Sequence, residues 1–265
     1  MCRENSVSVE YLTGPDEGIV VLSLARPEAR NALNTDLVTG LQTSLTKISQ
    51  AATARCLILE SSVPGVFSAG ADLKERQEMS EAAVMSFLAE LKHLISSLES
   101  LPVPVLAAVD GPALGGGLEL LLGCDLILAS HRAVFGQPET GLGVMPGAGG
   151  TVRLAGIIGP SRAANIILAG QRITGEQAEQ WGLVARVVNH QDLQQTTLEL
   201  ARDIVRAAPR ALTMAKYSLQ SARFLSKAAG LELETACYAN LLSSSDRREG
   251  LLAWAQRRPP VFTGE

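Results

Sequence analysis

One stretch of this chain indicates both its fold and its chemistry: Asp110-Gly111-Pro112-Ala113-Leu114-Gly115-Gly116-Gly117-Leu118-Glu119. Its three consecutive glycines would let the oxygen of a ligand approach backbone N–H groups without meeting a Cβ atom. If a helix begins there, its first N–H groups lack partners within the helix, and the positive end of the helix dipole faces the ligand. Glu119 follows Gly116 by about one helical turn, so its carboxylate would lie over the same point. The stretch therefore predicts a site for a polarised carbonyl, with an acid or base beside it.

A second carboxylate and a second glycine turn extend this candidate site. Glu139 also lies in apolar, glycine-rich sequence, and different surroundings can push the pKa values of two such groups apart into an acid and a base. The turn Phe67-Ser68-Ala69-Gly70-Ala71-Asp72-Leu73 follows an earlier apolar run. In an open α/β sheet both turns would lie at the carboxyl ends of strands, where N–H groups from separate loops can form an oxyanion hole. The alternative is that the glycines serve only tight turns and close packing.

Outward from this stretch, the chain alternates between strand and helix patterns. Short apolar runs predict strands over residues 7–12, 18–25, 56–60, 105–109 and 125–129. Helical spacing predicts helices over residues 35–51 and 80–101, and residues 111–117 read as a loop. This alternation indicates an α/β fold with a largely parallel, buried sheet. Residues 191–256 show helical periodicity and no strand candidate, so we expect an α/β core over residues 1–190 and a helical region over residues 191–265.

The composition indicates a folded protein and excludes several classes of function. The 265 residues are 46% hydrophobic and 19% charged, which suits one large domain or one domain with an appendage. Only 4% are aromatic, which argues against a base-stacking nucleic-acid module. A net charge of −4 gives no general attraction to nucleic acid or to anionic membranes. No uninterrupted apolar run reaches the roughly 18 residues of a membrane span, so no membrane partner is expected.

The cysteines and histidines do not suggest a metal site. The cysteines are Cys2, Cys56, Cys124 and Cys237. Because they are dispersed without metal-ligand spacing, we expect small buried thiols and a reducing compartment. The histidines are His93, His131 and His190, and surface or capping roles are expected for them. Dinucleotide, P-loop, serine-hydrolase and zinc-protease motifs are absent from the sequence.

The first residues of the chain indicate in which cellular compartment the protein is expected. The first five residues are too short and too polar for a signal peptide, and a strand pattern begins at about Val7. We therefore expect a protein that is not secreted. If the source is eukaryotic and a transit peptide has been removed, a mitochondrial location is expected, and otherwise a cytoplasmic one.

Five segments together resemble the enoyl-CoA hydratase (crotonase) family. They are RPEARNAL at 26–33, FSAGADLK at 67–74, DGPALGGGLE at 110–119, FGQPE at 135–139 and MPGAGGT at 145–151. The resemblance extends from about residue 7 to the end of the chain. It implies an α/β fold of the crotonase type, with a spiral ββα core and a C-terminal helical trimerisation region. It also implies a homo-oligomer, either a trimer or a dimer of trimers.

The resemblance also assigns roles to individual positions. The backbone N–H groups of Ala71 and Gly116 match the oxyanion hole for a thioester carbonyl, and Glu119 and Glu139 match the two catalytic glutamates of the hydratases. Gly147 matches a glycine whose N–H helps to position the water. Positions that match contacts with coenzyme A are Ala29, Ala69, Asp72, Leu73, Lys74, Trp254 and Arg257, the last two often reaching a neighbouring subunit's site.

The reaction implied by the resemblance is syn addition of water across the 2,3-double bond of an enoyl-CoA. Glu119 would deprotonate the water that attacks C3, and Glu139 would protonate C2. No cofactor is expected, because coenzyme A is part of the substrate. Relatives that isomerise, dehalogenate or decarboxylate acyl-CoAs usually change one or both acids, whereas both are present here. The alternatives are another acyl-CoA reaction on the same scaffold, such as that of an isomerase or hydrolase, and an idle CoA-binding subunit.

Within the family, the segments at 70–76, 246–253 and 258–260 resemble the methylglutaconyl-CoA hydratase branch. They lie mostly outside the acyl pocket and leave the substrate open. A distal carboxylate on the acyl group would need an arginine or lysine partner. Some relatives in this branch are associated with RNA binding through a lysine-rich first helix. Residues 35–51 contain a single lysine, Lys47, so a nucleic-acid partner is not expected here.

Overall fold

A six-stranded sheet forms the centre of the fold. The computed structural model describes residues 6–265, and Cys2 lies outside that range. The strands within it are β1 (Val7–Tyr11), β2 (Ile19–Leu24), β3 (Cys56–Ser61), β4 (Val105–Val109), β5 (Pro112–Leu114), β6 (Leu126–Ser130), β7 (Val134–Gly136), β8 (Ile173–Thr174) and β9 (Arg186–Val188). The large sheet has the order β1-β2-β3-β4-β6-β9, and within it β1–β2 is the antiparallel pair. The predicted α/β fold with a largely parallel sheet is confirmed.

Helices cover both faces of the large sheet. In residues 6–265 they are α1 (Thr35–Gln50), α2 (Leu73–Glu78), α3 (Glu81–Glu99), α4 (Gly116–Leu121), α5 (Gly150–Ile158), α6 (Pro160–Leu168), α7 (Gly175–Gln180), α8 (Leu193–Val205), α9 (Pro209–Ala222), α10 (Lys227–Ala239) and α11 (Ser245–Gln256). Short 3₁₀ turns lie at Gly14–Asp16, Pro27–Ala29 and Glu139–Leu142.

The helix α1 follows directly from its sequence. The Asn34 side chain accepts a hydrogen bond from the Leu37 N–H at 3.0 Å and so satisfies one free donor of the first turn. The buried face of α1 consists of Leu37, Val38, Leu41, Leu45 and Ile48. Each such side chain contributes roughly 1.5–3 kcal/mol when it is removed from water. The predicted helix and its apolar stripe are therefore both present.

Alternation along the strands produces two apolar layers. In β3, Leu57 and Leu59 pack in the larger cluster together with the buried faces of α1 and α3. Cys56 and Ile58 point to the opposite face, where α8 covers them through Leu193 and Ala201. This pattern fits a parallel sheet that is buried on both sides. The helix α8, the first of the predicted C-terminal region, thus packs directly on the sheet.

A buried ion pair attaches α9 to the core. The Lys216 ammonium lies 2.8 Å from the Asp125 carboxylate and donates to the carbonyls of Leu98 and Val103 at 3.2 and 3.0 Å. Asp125 also accepts the Val105 N–H at 2.7 Å. The C-terminal helices are therefore joined to the turn between α3 and β4. The division into regions at residue 190 stays a prediction.

A second sheet of three short strands, in the order β5-β7-β8, is absent from the sequence-based prediction. Residues 111–117 were expected to form a loop, and this was wrong for Pro112–Leu114, which pairs in parallel with Val134–Gly136. Strands of two or three residues are too short to show a period of two, and proline and glycine at their ends favour a loop reading. This small sheet leads the chain into α4.

The structure also shows how far the cysteines and His131 are buried. Burial raises the pKa of the Cys56 thiol to about 12. Cys237 is also buried, whereas Cys124 is half-buried. His131 lies at the surface, with Nδ1 2.6 Å from a Glu176 carboxylate oxygen. Within residues 6–265 no helix is both long and apolar enough to cross a membrane.

Candidate active site

Two chain segments run side by side at the centre of the site. The residue Ser68 forms a parallel bridge with Ala113, and the Leu114 N–H donates to the Ser68 carbonyl at 3.0 Å. Continued by three residues, this register places Ala71 beside Gly116. A Cβ built on Gly116 would lie 3.9 Å from the Ala71 nitrogen, which agrees with that placement. The structure therefore brings the two predicted oxyanion donors together.

Both of these N–H groups are available for a ligand. Gly116 is the first residue of α4, so its N–H has no partner in the helix. The bridge between Leu33 and Ala71 uses the Gly70 carbonyl and the Asp72 N–H, not the Ala71 N–H. Among residues 6–265 neither donor has a backbone acceptor. Two free N–H groups on adjacent backbones are the geometry required to stabilise an oxyanion.

Close contact between these backbones depends on Gly117. A Cβ built there would lie 2.7 Å from the Ser68 Cβ and 2.9 Å from the Ser68 carbonyl oxygen. Backbone atoms cannot move aside as the end of a flexible side chain can, so a larger residue would push the two segments apart. The alternative reading of the glycines as packing residues is therefore correct for Gly117, and it supports the site because it keeps the donors close together.

A buried polar network holds the segment that carries Ala71. The Asn31 side chain accepts the Arg26 N–H at 2.8 Å and donates to Ser61 Oγ at 2.8 Å and to the Phe67 carbonyl at 2.9 Å. Asn31 has φ 54°, a left-handed conformation that asparagine tolerates better than most residues. Ser68 Oγ donates to the Asn31 carbonyl at 2.7 Å. These bonds fix residues 67 and 68 only three residues before Ala71.

Glu119 is buried and held by backbone donors. Its carboxylate oxygen Oε1 accepts the N–H groups of Ala148 and Gly150, both at 2.8 Å, and the residue is 3% exposed. Burial raises the pKa of Glu119 above its ordinary value, while the two N–H groups and the charges of Arg153 and Lys92 oppose the rise. One carboxylate oxygen is thus fixed to the turn before α5. No arginine of residues 6–265 forms an ion pair with Glu119, so within them the alternative left open by the sequence is not the arrangement found.

Glu139 lies in a different environment. Burial raises its pKa to about 7, and the nearby negative charge of Glu119 adds to the rise. When the Gln137 amide is oriented with its nitrogen toward Glu139, it donates to Oε1 at 2.8 Å and to Oε2 at 3.0 Å. The two carboxyl groups therefore have different surroundings, and the charge of Glu119 acts on Glu139. A group with a pKa near 7 can donate or accept a proton at neutral pH.

Gly147 lies at the edge of the same site, one residue before Ala148. A Cβ built on Gly147 would lie 2.6 Å from Leu88 Cδ2, so α3 covers this glycine. The Gly147 N–H donates no backbone hydrogen bond to residues 6–265. It is therefore free for a water or a ligand beside Glu119.

Five of the residues expected to contact coenzyme A lie along one edge. The Ala69 N–H donates to the Arg30 carbonyl at 3.1 Å, which joins this segment to the turn that contains Ala29. Leu73 and Lys74 are exposed at the start of α2. Asp72 differs from the others because its carboxylate is taken up by Arg26 at 2.7 Å and by the first N–H groups of α2. Any contact of Asp72 with a ligand would involve its backbone.

Trp254 and Arg257 lie at the end of the last helix, α11. Trp254 is 83% exposed, and Arg257 follows the end of α11 with φ 54°. Within the described chain, no hydrogen bond or ion pair joins either side chain to Ala29, Ala69 or Leu73. A contact with coenzyme A on a neighbouring subunit stays a prediction.

Sequence reasoning missed several residues of the site. The partners of Glu119, Ala148 and Gly150, act through backbone N–H groups that leave no residue-type signal. Gln137 lies within the FGQPE segment at 135–139 and is fully buried. A polar side chain two residues before the expected acid Glu139 could have indicated a hydrogen-bond partner for that acid. Among residues 6–265 no group of three or more His, Cys, Asp or Glu side chains is arranged to hold a metal ion.

The chain is similar to known proteins over nearly its whole length. The family model described as enoyl-CoA hydratase/isomerase matches residues 14–265. The "Probable enoyl-CoA hydratase 2, mitochondrial" of Arabidopsis thaliana is 42% identical over 97% of this chain and 86% of its own. The "Methylglutaconyl-CoA hydratase, mitochondrial" of Mus musculus is 39% identical over 99% of this chain and 85% of its own. The 1.8 Å crystal structure of enoyl-CoA hydratase from Bacillus anthracis has a TM-score of 0.94 and 38% identity, covering 98% of this chain and 100% of that one.

These matches extend over nearly the whole chain and confirm the fold expected from the resemblance. The relatives are named as hydratases, and the solved structure has the same architecture. The chain therefore belongs to the enoyl-CoA hydratase/isomerase family of enzymes with the crotonase fold.

Proposed function

We propose that this enzyme is an enoyl-CoA hydratase that adds water syn across the 2,3-double bond of a short or branched enoyl-CoA. The observation that carries the proposal is the pairing of the buried Glu119 and the half-buried Glu139 with two free backbone N–H groups. The N–H groups of Ala71 and Gly116 stabilise negative charge on the thioester oxygen as it develops. Removal of one such donor typically costs about 10²- to 10³-fold in rate.

The two glutamates divide the proton transfers between them. Glu119, with one oxygen fixed by two N–H groups, accepts a proton from the water whose oxygen bonds to C3. Glu139, whose pKa is raised to about 7, supplies the proton that bonds to C2. The electron pair of the double bond passes through the enolate held at the oxyanion hole. Glu119 ends protonated and Glu139 ionised, and exchange with solvent restores both.

Gly147 and the edge near α2 complete the proposed site. The free N–H of Gly147 helps to hold the attacking water, and Ala29, Ala69 and residues 72–74 contact the coenzyme A part of the substrate. Trp254 and Arg257 contact the adenine and phosphate end from a neighbouring subunit. Coenzyme A arrives as part of the substrate, so no separate cofactor and no metal is required.

A homo-oligomer, a trimer or a dimer of trimers, is part of the proposal. Support comes from large apolar side chains that are exposed on the C-terminal helices of the single chain and in the turn between α9 and α10: Leu219, Phe224, Leu231, Tyr238, Leu251 and Trp254. Apolar patches of this kind mark interaction surfaces. The relatives named as mitochondrial support a mitochondrial location if the source is eukaryotic.

The competing activity is isomerisation, since the matching family is described as hydratase/isomerase. Retention of both glutamates favours hydration. The test is to follow the ultraviolet absorbance of the enoyl thioester across a panel that includes crotonyl-CoA and 3-methylglutaconyl-CoA. Loss of absorbance with formation of a 3-hydroxyacyl-CoA is expected. Appearance of a 3-enoyl isomer without water uptake would contradict the proposal.

A further inference from the structure

The turn that holds Glu119 is itself held by a side chain that has no step in the proposed reaction. The N–H groups of Ala148 and Gly150 both donate to Glu119 Oε1 at 2.8 Å. The Ala148 carbonyl lies between these two donors along the chain, and it accepts a hydrogen bond from Arg153 Nη1 at 2.9 Å. Ala148 is therefore bound on both sides, to the carboxylate through its N–H group and to the guanidinium through its carbonyl group.

Arg153 is in turn fixed by the end of α3. Its Nε and Nη2 atoms donate to the two carboxylate oxygens of Glu99, each at 2.7 Å, and Nη2 also lies 3.3 Å from Ser96 Oγ. A bidentate pair of this kind is stronger and more directional than an ordinary hydrogen bond. The Arg153 side chain is 15% exposed and that of Glu99 22%, so solvent screens this pair less than a surface pair. The guanidinium group thus connects α3 with the turn before α5.

Two residues beside Arg153 occupy positions that this arrangement explains. Glu99 is the last residue of α3, where the negative end of the helix dipole disfavours an acid. Gly149 has φ 107°, and a Cβ built on it would overlap Arg153 Nη1. The glycine therefore leaves room for the guanidinium, and the acid holds it there. These placements indicate a specific contact between Arg153 and the turn.

The charges around Glu119 agree with this placement. Burial raises the pKa of Glu119, and the positive charges of Arg153 on α5 and Lys92 on α3 oppose the rise. Glu139, in the turn after β7, is coupled to Glu119 by charge, and Glu99 is paired with Arg153. A carboxylate that accepts a proton from water must be ionised. A cation beside Glu119 therefore keeps it in the reactive form to lower pH.

We propose that Arg153 is a positioning residue: by holding the Ala148 carbonyl, it fixes the two N–H groups that orient the Glu119 carboxylate toward the attacking water. The inference rests on the proposed hydratase function, in which Glu119 accepts the proton of that water. Arg153 acts through the backbone of the turn and through its charge, and no bond to Arg153 forms or breaks. A displacement of about 1 Å at a reacting group can cost about 10²-fold in rate, so the effect is expected in kcat.

The test follows the hydration of crotonyl-CoA by Arg153→Met as a function of pH. We expect kcat to fall by roughly 10- to 100-fold, while KM stays within about threefold because the oxyanion hole is intact. Loss of the positive charge raises the pKa of Glu119, so the acid limb of the pH profile of kcat should move to higher pH. The alkaline limb, which is set by Glu139, should stay in place.

Three further variants separate positioning from a loss of stability. Arg153→Lys keeps the charge but cannot form the bidentate pair, so the acid limb should stay at the parent position while kcat falls less than in Arg153→Met. Glu99→Gln leaves the charge of Arg153 and loosens its guanidinium group, and it should lower kcat by about three- to tenfold. Arg206→Met, which removes a surface ion pair with Asp203, is the matched control. It should leave kcat and both limbs unchanged.

Two results would overturn the inference while the hydratase function stands. One is a parent kcat with an unmoved acid limb in Arg153→Met. The other is a fall in kcat by the same factor at every pH, which is the result of a merely structural role. If Arg153→Met does not fold, Glu99→Gln decides, and a parent kcat in that variant overturns the inference.

A parent enzyme that hydrates no enoyl-CoA would instead remove the proposed function, and an NMR titration would then decide on Arg153. The amide proton shifts of Ala148 and Gly150 should follow the ionisation of Glu119 in the parent, because both groups donate to its carboxylate. In Arg153→Met they should lose this dependence. The same titration in both proteins would overturn the inference.

Discussion

Gly115 and Glu139 are in direct contact at the start of α4. A Cβ built on Gly115 would lie 2.8 Å from Glu139 Oε1. Gly115 has φ 51° and ψ −125°, a conformation that is sterically disfavoured for residues with a Cβ. Because Gly115 has no Cβ atom, the Glu139 carboxylate can lie directly beside it, next to the oxyanion hole.

Gly115→Ala should therefore damage both the fold and the reaction. Backbone strain of this kind costs about 1–3 kcal/mol, and the new methyl group would displace the Glu139 carboxyl group. We expect a lower Tm and at least a tenfold lower kcat for crotonyl-CoA hydration. Gly141→Ala is the matched control, since a Cβ there meets nothing within 4 Å. An active Gly115→Ala enzyme of normal stability would contradict the assignment of Glu139.

Asn31→Ala should destabilise the segment that carries Ala71. The change leaves the Arg26 N–H and the Phe67 carbonyl without their side-chain partner and removes one of the hydrogen bonds of Ser61 Oγ, which keeps those to Val63. An unsatisfied buried group costs about 1–3 kcal/mol, so we expect the free energy of unfolding to fall by about 3 kcal/mol or more. Denaturant unfolding measures this. Asn34→Ala, which removes only the cap of α1, should cost about 1 kcal/mol. Equal losses in the two variants would contradict the importance of the network.

The pKa of Glu139 predicts how stability depends on pH. Because its folded-state pKa of about 7 lies above the ordinary 4.5, the folded protein binds this proton more tightly than the unfolded chain. The resulting stability is fully present below about pH 4.5 and is lost as pH rises through about 7. In Glu139→Gln, the fall in the free energy of unfolding between low and high pH should be smaller than in the parent by about 1–3 kcal/mol.

The measurement is the free energy of unfolding at pH 5 and pH 8 for the parent, Glu139→Gln and the surface control Glu17→Gln. The control should match the parent at both pH values. The hydration rate should also fall above about pH 7, as the proposed proton donor ionises. A parent enzyme whose stability and rate are level from pH 5 to pH 8 would be inconsistent with a raised pKa at this position.

Lys216→Met should loosen the C-terminal helices. It removes one partner of a buried ion pair and leaves Asp125 and two backbone carbonyls with fewer donors. Breaking such a pair typically costs about 3–5 kcal/mol. Thermal unfolding should show the loss, and Lys227→Met, at an exposed lysine of α10, should not. If Lys216→Met is as stable as the parent, this ion pair does not fix α9 to the core.

The sequence was informative where a pattern repeats over many residues. The five buried side chains of α1 and five of the six strands of the large sheet follow from periodicity and capping alone, whereas β9 (Arg186–Val188) was not predicted. The second sheet could not be predicted in the same way, because three residues such as Pro112–Leu114 form a strand only when Val134–Gly136 lies beside them.

The site shows the same division. Glycines and acids mark Gly116 and Glu119 in the sequence, since those residue types have few reasons to be in an apolar run. The hydrogen bonds that hold Glu119 come from the N–H groups of Ala148 and Gly150, which every residue except proline possesses. Only the fold brings them to one carboxylate oxygen. The contact between Leu88 and Gly147 likewise depends on how α3 packs.

The most direct test of the central claim is the hydration of crotonyl-CoA by Glu119→Gln and Glu139→Gln. Each substitution keeps the size of the side chain and removes its ability to transfer a proton, so we predict a fall in kcat of about 10²- to 10⁴-fold with an intact fold. Glu17→Gln should retain the parent rate. Near-parent hydration by either active-site variant would contradict the assignment of Glu119 and Glu139 as the groups that add water.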